Sequence, residues 1–292
     1  MEPRDVYVKV RDFRMHYVDW GDNGPAVILY HGGQRTGRSW DAVARRLQSQ
    51  YHVIGLDGRG HGDSEWTPRG YAMDSRVKDL IAFLETTGLV GATVAGHSIG
   101  GTASIFAALA RPDVFGKLAP VDPMITTDVE TSLKRARNET DTRRYWPSRE
   151  DFEATLRWHR TTSIWADEVI RDIVRNELVA HPSGQVEAKW APQSFNYEER
   201  ASDAYDLFPD LPRLKVPVLL MLAKDHTPEE FARAEAAFRQ MPRGHLAVFA
   251  NAGHNIYMER PEDTANLLRD FLLGHPVPSC VGEDARAARR DA

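Results

Sequence analysis

Short apolar runs that each stop at a glycine- or aspartate-bearing loop constrain this chain more than any other feature. AVILY precedes His31-Gly32-Gly33, HVIGLD precedes Gly58-Arg59-Gly60, and ATVAG leads into His97-Ser98. Runs of this length and composition read as strands buried on both faces. Helical patterns separate them: in SRVKDLIAFLETTGL the residues Val77, Leu80, Ile81 and Leu84 recur at helical spacing, and Gly88 supplies a stop. Strand, helix, strand, helix implies an α/β fold with a mostly parallel central sheet flanked by helices. Upstream, Val6, Val8 and Val10 alternate with polar residues, as do Phe13, Met15 and Tyr17, which predicts a hairpin.

After Asp122 in GKLAPVDP the pattern breaks. Helical patches rich in charge and aromatics follow, such as SREDFEATLRWHR and ADEVIRDIVRNEL, with no good strand among them. The stretch is too long for a connecting loop and reads as an inserted helical element over 124–211. Strand-like runs resume with VPVLLMLA and HLAVFANAG, and a closing helix starts at Pro261 and stops at Gly274. The expected organisation is a core made of 1–123 and 212–275, the insert, and a tail over 276–292 with too few apolar groups to order itself.

Charge narrows the partners. With 42 acidic and 37 basic residues the net charge is -5, which does not favour nucleic acid. The N-terminal MEPRDVYVKVRDF lacks the apolar stretch of a secretory signal, and no run approaches the ~20 apolar residues of a membrane-spanning helix. A cytoplasmic protein with no membrane partner is the expectation, with its oligomeric state open. The single cysteine, Cys280, rules out an internal disulfide framework or a cysteine-based metal cluster.

Gly96-His97-Ser98-Ile99-Gly100 stands directly between the run ATVAG and the helix-compatible TASIFAALA. A serine on a tight strand-to-helix turn presents its hydroxyl outward, and small neighbours let the backbone cross itself. Here the chain resembles the α/β-hydrolase superfamily, whose nucleophile elbow GHSIG and the following Gly101 match. The resemblance covers about residues 5 to 123 and 212 to 274, and it implies a triad in the order Ser, acid, His. It makes Ser98 the nucleophile and puts the base in a loop after the last strand, where His254 stands in AVFANAGHNIYMERPE. A serine hydroxyl needs such a base to become a nucleophile.

The resemblance places the acid after the penultimate strand, at Asp225 in VPVLLMLAKD, although Leu222 stands where the family usually has glycine. A minority arrangement, one strand earlier, would select Asp122. For the oxyanion hole it implies the amides of Ile99 and of Gly33 in the HGGQ loop, with Gln34 beside them. The insert corresponds to a helical cap, and Trp146, Trp158 and Trp165 within it are candidates to wall a substrate pocket or to pack the cap. Asp57 to Ser64, DGRGHGDS, is similar to a family loop below the site. It matches no nucleotide-binding pattern.

These residues point to hydrolysis of a small carboxylic ester or lactone through an acyl-enzyme, with no cofactor and no metal. Members with an aspartate at the elbow, the epoxide hydrolases and haloalkane dehalogenases, are disfavoured by Ser98. Carbon–carbon bond hydrolases and amidases share the triad, and some members of the superfamily are small-molecule receptors rather than enzymes.

Overall fold

In the computed structural model, which describes residues 2–140, 144–195, 199 and 203–282, the predicted hairpin and strand series assemble into one sheet. Its strands are β1 (Arg4–Val10), β2 (Phe13–Asp19), β3 (Ala26–Tyr30), β4 (His52–Leu56), β5 (Ala92–His97), β6 (Phe115–Val121), β12 (Val218–Ala223), β13 (Gly244–Phe249) and β14 (Cys280–Val281). Their spatial order is β1-β2-β4-β3-β5-β6-β12-β13-β14. The β1/β2 and β2/β4 pairs are antiparallel, and every later pair is parallel.

Alternate residues of each central strand feed two different cores. Val27, Leu29, Val53, Leu219 and Met221 face one side, with α1 (Asp41–Leu47) and the last helix packed over them. Ile28, Ile54, Leu118, Leu220 and Leu222 face the other, under α2 (Met73–Thr86) and α3 (Ile99–Ala110). Both faces are covered, which is why the strands read as unbroken apolar runs.

Between β6 and β12 the chain leaves the sheet. It forms α4 (Val129–Thr140), α5 (Arg149–Trp158) and α6 (Asp167–Asn176). It also forms strands absent from the sequence reading: β7 (Thr126–Thr127), β8 (Tyr145–Trp146), β9 (Leu178–Ala180), β10 (Val186–Ala188) and β11 (Tyr205–Asp206). At two or three residues each, they are too short to show a period of two. The helix α6 is tied to α1 by charge: Arg45 reaches Asp172 at 2.6 Å, and Arg46 reaches Glu168 at 2.6 Å.

The sheet then closes with α7 (Pro228–Phe238), α8 (Ile256–Glu259) and α9 (Pro261–Leu273). The ends of α9 are as expected: Pro261 opens it, and Gly274 stops it with φ 73°. The tail departs from expectation, because Cys280 and Val281 pair with Val248 and Phe249 as an edge strand. The sheet edge supplies ordering partners that the tail's own composition does not reveal. Residues 283–292 of that tail lie outside the described residues. Among the described residues no helix is long and apolar enough to cross a membrane.

Candidate active site

Ser98 sits where β5 gives way to α3, with φ 50° and ψ −119°. Such a conformation is strained by about 1–3 kcal/mol for a residue with a Cβ and persists only where its surroundings enforce it. They do so by crowding. A Cβ on Gly96 would lie 2.6 Å from the Gly100 carbonyl oxygen, and one on Gly100 would lie 2.4 Å from that of His31. Ile99 opens α3, so its amide carries the positive end of the helix dipole.

Ser98, Ile99, Gly33, Asp122, His226 and His254 all line one cavity of about 950 Å³, a size suited to a small molecule. His254 stands in the turn between β13 and α8. Its Nδ1–H donates to Oδ2 of Asp122 at 2.7 Å. A carboxylate can only accept, so the contact assigns the proton to Nδ1 and leaves the Nε2 lone pair free to act as a base.

Asp122 caps β6 with φ 47°, and its side chain is 2% exposed. Burial works against its charge, but hydrogen bonds from His226 and His254 outweigh that and hold its pKa at about 2. It therefore stays ionised at neutral pH.

Three neighbours fix the loops around this pair. Glu259 accepts from the amides of Gly253 at 2.6 Å and Asn255 at 3.2 Å, clasping the turn that carries His254. The His97 ring lies 4.7 Å from that of His254, and its Nε2–H donates to the His254 carbonyl at 2.9 Å. Burial lowers the His97 pKa to about 3, so it is a neutral brace. His31, lowered by burial to about 4, donates through Nδ1 to the Gly32 carbonyl and accepts the Gly58 amide at Nε2. It ties the HGGQ loop to the DGRGHGDS loop.

The expectation that Asp225 orients His254 is corrected. The carboxylate on His254 Nδ1 is that of Asp122, whereas Asp225 is exposed and lines a separate depression with Lys224, Asn251 and Arg260. The ends of β6 and β12 are neighbours in the sheet, so either strand can deliver an acid to the same place. The turn after β12 carries Asp225 outward and points His226 inward, where its Nε2 lies 2.9 and 2.8 Å from the two Asp122 oxygens. The sequence reading gave His226 and Glu259 no role. An imidazole immediately after the expected acid was the available signal for the first, and nothing local marked the second.

Of the two alternatives for the tryptophans, packing holds for Trp146 and Trp165. Trp146 and Trp165 are buried with Phe152 and Ile170 in the apolar cluster that continues onto one face of the sheet, and Trp158 is 83% exposed. None of the three is among the residues lining the cavity around Ser98. Gln34 has φ 60°, and its buried Nε2 has no hydrogen-bond partner among the described residues.

One other cluster has the donor set of a metal site: His16, Asp57 and Asp63 offer ligand atoms within 4.8 Å of one another. Their atoms are already engaged. Asp57 accepts from His16 Nδ1 and from the amides of Gly37 and Asp63, and Lys189 neutralises Asp63 at 2.8 Å. The arrangement is an internal ion network that holds the loops beneath the site.

Comparison with known proteins agrees with this architecture. The sequence model of a family described as "Alpha/beta hydrolase family" matches residues 26–267. The lipase LipV of Mycobacterium tuberculosis is 33% identical over 175 residues, which are 59% of this chain and 64% of the lipase. This chain therefore spans less than two thirds of that relative. N-formylmaleamate deformylase of Pseudomonas putida is 28% identical over 92% of this chain and 96% of its own. Among solved structures, E-2-(acetamidomethylene)succinate hydrolase superposes with a TM-score of 0.80 at 20% identity, covering 93% of this chain and 99% of that one. That last likeness is one of fold.

Proposed function

Because this chain belongs to the alpha/beta hydrolase family, matched over residues 26–267, we propose that it is a serine hydrolase acting on a small carboxylic ester or lactone with Ser98, His254 and Asp122 as its triad. The observation that carries the reading is the shared cavity wall of Ser98 and His254, together with the Asp122 carboxylate on His254 Nδ1.

The chemistry follows from the atoms. His254 Nε2 takes the Ser98 hydroxyl proton as Oγ attacks the ester carbonyl, and Asp122 stabilises the resulting imidazolium. The oxyanion that forms is stabilised by the amides of Ile99 and Gly33, two residues that line the same cavity as Ser98. The imidazolium returns its proton to the departing alcohol, leaving an acyl group on Ser98. Water then attacks with His254 again as base, and the acid leaves.

An acyl–nitrogen bond is the second reading, favoured by the deformylase that matches over 92% of the chain, since the same steps release an amine instead of an alcohol. A receptor role would need ligand binding without turnover. The test is a panel of p-nitrophenyl esters together with a fluorophosphonate probe. Multiple turnover and covalent labelling are expected from the wild type, and neither from Ser98→Ala. Labelling that survives Ser98→Ala would overturn the assignment, and ligand-induced stabilisation without turnover would support a receptor.

A further inference from the structure

The Asp122 carboxylate serves two imidazoles. Oδ2 accepts from His254 Nδ1 at 2.7 Å, while His226 Nε2 sits astride both oxygens at 2.9 and 2.8 Å and the Ala223 amide holds Oδ1 at 3.1 Å. His254 and His226 arrive from the loops of two neighbouring strands: one from the turn after β13, the other from the turn after β12. An acid that needed only to orient the base would not require the second ring. His226 also faces the cavity that holds Ser98, with its side chain 27% exposed.

Resting on the hydrolase reading above, we propose that His226 is a positioning residue of this site: it fixes the plane of the Asp122 carboxylate for His254 and competes with His254 for its negative charge. The first part follows from geometry. Nε2–H spans both carboxylate oxygens and resists rotation of the side chain, so Oδ2 stays aligned with His254 Nδ1.

The second part follows from the charge count. One carboxylate neutralises one imidazolium well and two poorly, so the two rings cannot take up protons independently. The groups facing His226 decide where the first proton goes. Asp122 lies on its Nε2, Glu230 Oε2 on α7 is 3.9 Å from its Nδ1, and Asp225 precedes it, all three favouring a charged ring. His254 opposes a second charge from across the carboxylate. Arg233, Asp128 and Asp206 face the same cavity. The hydrogen bond to Asp122 raises the His226 pKa, against partial burial. The acidic neighbours thus favour charge on His226, and a charge there works against a second one on His254 across the same carboxylate.

Substitution separates the two effects. In His226→Ala the carboxylate loses its brace, and kcat for an ester should fall about tenfold with KM changed far less. In His226→Gln the side-chain amide still donates to Asp122 but cannot be charged, so kcat at alkaline pH should recover. There the acid limb of the kcat/KM profile should move to higher pH by about one unit, since no charge at residue 226 then opposes a proton on His254.

Imidazole NMR titration of the full chain gives the same answer without turnover. The two rings should titrate as a coupled pair in the wild type, and His254 should take up its proton at higher pH in His226→Gln. An unchanged kcat in His226→Ala overturns the brace. Superimposable pH profiles, or an unmoved His254 titration curve, overturn the competition. Loss of activity in Ser98→Ala tests the hydrolase reading separately, so failure of one is not failure of the other.

Discussion

Oδ2 of Asp122 receives Nδ1–H of His254 at 2.7 Å, from the end of β6, the strand beside the one that ends at Ser98. The two carboxylates open to choice are therefore separable by experiment. Asp122→Asn replaces an acceptor oxygen with a donor and should cost about 10³- to 10⁴-fold in kcat, as expected when the imidazole is held in the wrong tautomer. Asp225→Asn alters an exposed side chain outside the cavity and should leave kcat within about twofold. Steady-state kinetics on a p-nitrophenyl ester checks both, and an inactive Asp225→Asn beside an active Asp122→Asn would reverse the assignment.

How much of this was legible in the sequence depends on how local the cause is. The elbow was legible because the glycines that make room for it stand within two residues of Ser98, even though the crowding at Gly100 comes from the distant His31 carbonyl. The choice of acid was not, because β6 and β12 end side by side and the decision rests on which way residues 224–226 turn. The sequence placed Trp146, Trp158 and Trp165 in the insert, yet it does not say which of them meets a ligand. Two are buried in the core cluster, and the third faces solvent. The strands of the insert were invisible because two or three residues carry no periodicity.

Glu259 gives a second prediction. Its two oxygens each take one amide of the His254 turn, so Glu259→Gln sets an NH₂ group against a backbone N–H. Removing one such partner costs about 1–3 kcal/mol. A lower thermal midpoint is expected, with kcat reduced more than KM. Unchanged kcat would mean that the turn holds its shape without this clasp.

The glycine at the crossing gives a third. Gly100→Ala would push a methyl group to 2.4 Å from the His31 carbonyl oxygen and 2.9 Å from that of Tyr30. Both are backbone atoms, and neither can swing aside. Destabilisation by about 3 kcal/mol or more is expected in urea unfolding, at the upper end of overpacking costs. A variant as stable as the wild type would show that the crossing is looser than described.

The buried His16–Asp57 pair gives a pH-dependent prediction. Burial disfavours the charged His16 ring, but the hydrogen bond and charge of Asp57 at 2.6 Å prevail, and the pKa of His16 is raised above 6.5. A raised folded-state pKa adds stability that is fully present below the unfolded value and disappears as pH rises through the folded one. The stability lost in His16→Gln should therefore be larger at pH about 6 than at pH about 9, measured by urea unfolding. A gap that widens with rising pH would show that the neutral ring is the stabilising form.

The edge strand β14 has a consequence for any shortened version of this protein. Val248 and Ala250 donate their amides to Ser279 and Val281 at 2.9 and 3.0 Å. A chain cut after His275 would bare that row of donors along β13, on a sheet whose register a second molecule can extend. Those few residues act as a guard rail: without them, light scattering should report more self-association than the 292-residue chain shows.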